Sequence, residues 1–153
     1  APHNIDESEI EKFEGLFPEA VRYSHALEGT VSEFRILIVD NMGMLSSLYR
    51  YGDFAFIGGA FRGALHNTLE AAVYGIPVCY GEHPNNQKFK EAIGLAETAG
   101  GFTFSSVEEL KGWFESLWKD DEKYRSAADQ SRAFVQERAG ATPLVVNRIL
   151  EFL

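Results

Sequence analysis

The chain has 153 residues, a formal net charge of -9 and 24% charged residues. So acidic a balance argues against nucleic acid as a partner, because neutralising phosphates takes clustered Lys and Arg. Hydrophobic residues make up 45%, ordinary for one soluble domain burying about two thirds of its unfolded surface, and no apolar run approaches the roughly 20 residues of a membrane span.

Taken in order, Asp6-Glu7-Ser8-Glu9 stand ahead of Ile10, Phe13, Leu16 and Phe17. Acidic residues before an apolar stripe at helical spacing mark a helix start, and Pro18 ends it. Residues 20–23 read as a short strand and 24–33 as a polar loop. Residues 34–39 (FRILIV) are rich in β-branched residues and nearly continuously apolar, the signature of a strand covered on both faces. A helix is expected over 44–51 and a second buried strand over 54–57. A glycine-broken loop (Gly58, Gly59, Gly63) follows, then a helix from His66 or Asn67 and a third strand over 77–80. Parallel strands need such crossovers, and two βαβ units in succession argue for a doubly wound sheet. The single cysteine, Cys79, lies in that third strand and predicts a buried, inert thiol.

Further helices are expected over 87–98, 107–118, 121–137 and 143–153, with a last strand over 102–104. Ser106 with Glu109 three residues on has the form of a capping box. The fold class is therefore α/β, a Rossmann-like parallel sheet with helices on both faces and a helical tail over 121–153. The opening Ala1-Pro2-His3, with no Met and no strand before it, is read as the start of a fragment.

Ligands of open α/β sheets bind outside the carboxyl ends of the strands, which places 58–67 at the expected edge. Asn67-Thr68-Leu69-Glu70 there has a plain reading, Asn67 capping the helix and Glu70 reaching back to it. It also has a functional one, in which free N–H groups hold an anion and Glu70 accepts from a ribose diol. Gly58-Gly59 allows close backbone approach to a ligand, although the spacing is not a dinucleotide fingerprint. Met42-Gly43-Met44 follows a strand on the same predicted edge. No nucleophile elbow, P-loop or metal-ligand spacing is present, and no general base stands out.

Together these segments resemble the bacterial Kdo transferases. The resemblance rests on Pro2-His3, Asp40-Asn41-Met42-Gly43-Met44-Leu45, Leu48-Tyr49, Gly52-Asp53, Ile57-Gly58-Gly59 and His66-Asn67 through Glu70. Gly75-Ile76-Pro77-Val78 and the run from Asn86 to Ala92 extend it. It implies the C-terminal, donor-binding lobe of a two-lobed GT-B glycosyltransferase, over 1–153, moving Kdo from CMP-Kdo to a lipid A precursor. It further implies that Pro2, His3, Met42, Gly43, Met44, Asn67, Thr68, Leu69 and Glu70 contact CMP, with Gly58, Gly59 and His66 as a possible donor loop.

In this family the catalytic base, the acceptor site and the membrane contact belong to the other lobe. No catalytic residue is therefore expected in this chain, nor any metal or cofactor. The full-length protein would work at the cytoplasmic face of the inner membrane, while the fragment itself would be soluble. Two departures stand out. His3 occupies a position where many members have Arg, and Ala64-Leu65 stands where many have a glycine pair. The rival readings are another GT-B enzyme using a UDP-sugar and a non-catalytic nucleotide-binding or interaction module.

Overall fold

The computed structural model describes residues 5–27 and 29–152. The chain divides into two compact units, Ala1–Leu48 and Tyr49–Leu153. In the first, α1 (Glu7–Leu16) begins at Asp6, whose side chain accepts from the Ser8 N–H at 2.9 Å. Strands β1 (Ala20–Arg22) and β2 (Ile36–Ile38) pair in parallel, Val21 opposite Leu37. Arg22, nearly buried, is gripped by both carboxylate oxygens of Glu14 at 2.6 and 2.7 Å and by Glu7 at 2.7 Å. The bidentate fork explains how so buried a guanidinium is tolerated. The single helix expected over 44–51 divides into α2 (Leu45–Leu48) and a 3-10 turn, Tyr49–Tyr51.

The second unit holds β3 (Ala55–Ile57), α3 (Leu69–Ala72), β4 (Val78–Gly81), α4 (Lys90–Glu97) and β5 (Gly101–Phe104). After them come α5 (Val107–Trp118), α6 (Asp121–Arg138) and α7 (Ala141–Leu150). β3, β4 and β5 form a parallel sheet in that order, Phe56 opposite Cys79 and Cys79 opposite Phe102. β3-α3-β4 and β4-α4-β5 are thus two successive crossovers, and β4, central, is buried along its whole length. That is why its sequence shows no alternation.

Alternate residues build the two faces. Ala55, Ile57, Val78 and Tyr80 pack with Ala71 and Ala72 of α3, Ala92 and Leu95 of α4 and Phe134 of α6. On the other face Phe102 stacks on Trp113 of α5 at 5.3 Å, and Phe54 meets Trp113, Phe114 and Tyr124 at 4.7–5.8 Å. Helices therefore lie on both faces, as the apolar strands predict, although Phe56 of β3 stays 56% exposed. The expected capping box is present with a shifted partner. Ser106 Oγ accepts from the Glu109 N–H, while Glu109 accepts from the Ser105 N–H at 2.7 Å. α7 turns Leu144, Val145, Ile149 and Leu150 outward.

Candidate functional site

β3 delivers the chain into the glycine loop at its carboxyl end. Gly58 O accepts from the His66 N–H and Gly59 O from the Ala64 and Arg62 N–H groups, which curls the loop over itself. Gly59 has φ +82°, and a Cβ there would lie 2.1 Å from the Ala64 carbonyl oxygen, so only glycine fits. The loop hands on to Asn67, whose side-chain oxygen accepts from the Leu69 N–H at 3.0 Å. Its amide nitrogen donates to Glu70 at 3.2 Å.

This differs from the capping box expected at Asn67. The N-cap residue is Thr68, and Glu70 meets the Asn67 side chain rather than its backbone. Asn67 makes an Asx turn that feeds the helix from one residue earlier. α3 is a single turn, so its macrodipole is small and any anion is held by local N–H groups instead. Thr68, at 1% exposed, is buried whole, and Leu69 packs on the core with its N–H already bonded to Asn67. Asn67 and Glu70 are exposed. Tyr49 stands near that carboxylate: burial, and then the charge of Glu70, hold its hydroxyl above the usual tyrosine value.

His66 is exposed, with its ring close to Gly58 and Gly59. In the first unit Met42 is exposed, Gly43 sits in open space at φ +84°, and the Met44 carbonyl accepts from the Ser47 and Leu48 N–H groups. Asp40, just before, accepts from the Ser24 N–H at 3.0 Å and from the Ser24 hydroxyl. Burial raises the Asp40 pKa, but the Ser24 bonds outweigh it and leave the group below the usual carboxylate value. Pro2 and His3 lie outside the described residues. The structure thus brings Gly58, Gly59 and His66 together with Asn67–Glu70 at one strand edge within the second unit.

A second feature of that edge overlaps the run from Asn86 to Ala92, to which the motifs gave no role. The turn after β4, read as a loop and a helix start at Gln87, is a 3-10 segment, Pro84–Lys88. His83 caps it through Nδ1, which accepts from the Asn85 N–H at 3.1 Å. Behind it lies a cleft of about 350 Å³ bounded by β4, β5 and α4. Pro84 directly after His83 was the signal for a turn that starts at a proline. Among the described residues, no group of three or more His, Cys, Asp or Glu side chains is placed to hold a metal ion. No helix among them is long and apolar enough to cross a membrane.

Comparison with known proteins bears on this edge. No protein-family model matches the chain. A 3-deoxy-D-manno-octulosonic acid transferase of Aquifex aeolicus is 35% identical over 112 residues, 71% of this chain and 30% of that protein. The chain is a relative of the Kdo transferases. A Fusobacterium nucleatum bifunctional glycosyltransferase/methyltransferase is 29% identical over 159 aligned positions, 98% of this chain and 24% of that protein. The chain spans about a quarter to a third of the length of these curated relatives. Among solved structures, the C-terminal CMP-Kdo binding domain of WaaA from Acinetobacter baumannii superposes with a TM-score of 0.74 at 17% identity. That match covers 89% of this chain and 72% of the WaaA domain, and establishes the shared fold.

Proposed function

We propose that this chain is the donor-binding lobe of a GT-B glycosyltransferase that moves Kdo from CMP-Kdo to a lipid A precursor. In this reading the two compact units make up one lobe, and 121–153 forms its helical tail. The observation that carries it is the Asn67–Glu70 turn at the carboxyl end of a parallel strand, in a relative of the Kdo transferases. Glu70 is exposed and tethered by a neutral amide, so its charge is available to two adjacent hydroxyls. A ribose diol is such a donor pair. At Gly58 only the His66 ring comes within 4 Å of where a Cβ would be, which leaves phosphate a way to the backbone there.

Met42, Gly43 and Met44, with Pro2 and His3, complete the nucleotide contacts in this proposal. Met42 supplies exposed apolar surface suited to a pyrimidine ring. Preorganised N–H groups would stabilise the charge that develops on departing CMP. No residue of this chain is assigned as the base. We place the base, the lipid A contact and attachment to the cytoplasmic face of the inner membrane in the part of the protein outside the matched segment.

The test is a titration of the isotopically labelled chain with CMP, UDP and GDP. CMP is expected to shift the amides of 42–44 and 67–70 selectively, and Glu70→Ala to weaken CMP at least tenfold, the loss expected for a charged hydrogen bond worth about 1.5–3 kcal/mol. Equal affinity for the three nucleotides, or full CMP affinity in the Glu70→Ala chain, overturns the assignment. A preference for UDP supports the second reading, a GT-B enzyme with another donor. That reading draws on the match over nearly the whole chain of the Fusobacterium glycosyltransferase/methyltransferase, a name that states no donor.

A further inference from the structure

The donor proposed above would arrive with two negative charges, one on its phosphodiester and one on the carboxylate that an ulosonic acid bears at its anomeric carbon. The edge it would meet holds the exposed carboxylates of Glu70 and Glu82, on a chain of net charge -9. Like charges held together away from water repel strongly, so a site for such a donor needs a cation. From Tyr51 to Gln87 the chain runs through β3, the glycine loop, α3, β4 and into the turn after it. Arg62 is the only Lys or Arg in that span. It is exposed, and its side chain makes no hydrogen bond or ion pair among the described residues.

Its placement follows from the turn that holds it. Ala60–Arg62 is a 3-10 turn closed at both ends by left-handed glycines, Gly59 (φ +82°) and Gly63 (φ +65°). The Arg62 N–H donates to the Gly59 carbonyl at 3.1 Å, and the Gly63 N–H to that of Ala60 at 2.8 Å. At three residues per turn, successive side chains diverge by about 120°. Ala60, 2% exposed, points into the core. Phe61 lies on the end of β4, where a Cβ at Gly81 would come within 2.5 Å of its ring, and it meets Phe104 of β5 edge-on at 5.6 Å. Arg62 takes the remaining direction, outward at the carboxyl edge. The Phe61 seat fixes one end of the turn. The other end is fixed by Gly63, where a Cβ would come within 2.7 Å of Asn85 and 3.1 Å of His83. A packed turn thus displays an unpaired guanidinium beside the glycine pair.

We propose that Arg62 is the residue that recognises the donor as an acidic sugar, its guanidinium pairing with the carboxylate on the anomeric carbon. The planar fork of an arginine matches the two oxygens of a carboxylate. In this donor the carbon bearing the carboxylate also bears the phosphate ester, so a carboxylate anchor and a phosphate site must be neighbours. Arg62, bonded through its N–H to Gly59, and the backbone open at Gly58 are neighbours in that sense. The inference rests on the CMP-Kdo reading and deepens it. A nucleotide linked to a neutral hexose has no such carboxylate, so Arg62 sets the choice of sugar rather than the grip on the nucleotide.

The test titrates CMP, CMP-Kdo and free Kdo into the labelled chain and its Arg62→Ala, Arg62→Lys and Arg125→Ala variants, following the amides and the arginine Nε–H signals. Arg62→Ala should weaken CMP-Kdo about tenfold or more, the loss expected when a charged hydrogen bond is removed, and leave CMP affinity in place. Arg62→Lys keeps a point charge without the fork and should fall between. Arg125 is exposed and follows Tyr124, whose hydroxyl bonds the Asp53 carbonyl ahead of β3, at the opposite end of the sheet. Arg125→Ala therefore controls for the loss of one positive charge and should bind as the parent does. The Arg62 Nε–H signal should move with CMP-Kdo and not with CMP. Equal losses for CMP and CMP-Kdo in Arg62→Ala would put the guanidinium on the phosphate and overturn the proposal. Unchanged CMP-Kdo binding, or an equal loss in Arg125→Ala, overturns it too. Movement of the Arg62 signal with free Kdo, in a chain that fails to bind CMP, would uphold the carboxylate contact and sink the nucleotide assignment instead. No shift with any of the three compounds overturns both.

Discussion

Substituting Gly63 by Ala tests whether the two loops at the sheet edge are held as described. Gly63 has φ +65° and ψ +26°, in the left-handed region, where an L-residue costs roughly 1–2 kcal/mol. The added Cβ would sit 2.7 Å from Asn85 Cβ and 2.9 Å from its Nδ2. The first of these is fixed to the backbone and cannot swing away, so the loops must part, at roughly 1–3 kcal/mol for overpacking. Together the loss is roughly 2–5 kcal/mol, or a fall of roughly 1–2.5 M in the urea midpoint at a slope near 2 kcal/mol per molar. Gly140→Ala is the control in the same unit: φ is +104° but nothing lies within 4 Å of the new Cβ. It should show the strain alone. The amides of 83–87 should also shift in Gly63→Ala and stay in place in Gly140→Ala. Equal midpoints for the two variants would refute tight packing between the glycine loop and the turn that caps the cleft.

Two further outcomes concern pH. Burial raises the Cys79 thiol from 9.0 to about 12 and the Tyr80 hydroxyl from 10.0 to about 12. The folded chain then holds protons that the unfolded chain releases, so stability is intact below pH about 9 and falls as pH climbs toward about 12. A urea midpoint that stays flat across that window contradicts the burial, and Cys79→Ala should remove the first part of the decline. Glu109 is shifted the other way: the Ser105 N–H and hydroxyl hold it below its usual 4.5. Its contribution is present above that value and is lost as pH falls through the lower, folded one. Glu109→Gln should therefore lower the melting temperature at pH 7 and match the parent in strong acid. A difference that persists in acid would show that charge is not what the Ser105 turn recognises.

Much of the edge was legible because it is local. Ser106 and Glu109 announce a helix start through groups three residues apart, and the apolar run at β4 announces a strand covered on both faces, whereas β3 leaves Phe56 exposed. Where the local signal was ambiguous, the prediction slipped. Asn67 and Glu70 were correctly joined, yet the cap moved to Thr68, because Asn can serve an N–H two residues on as well as three. The helix expected from Gln87 begins at Lys90, since Pro84 and the His83 cap close a tighter turn first.

By itself the sequence determined the order of strands and helices, the glycine loop and the Asn67–Glu70 turn, since each depends on neighbours in the chain. Tertiary structure alone decided that α3 is one turn, that Gly63 abuts Asn85, and that the Asn86 side-chain oxygen is buried with no partner among the described residues. The physical reason is that hydrophobic periodicity reports which side chains avoid water. Whether a polar atom has lost its water, and found no partner in exchange, depends on residues brought against it from other strands and helices.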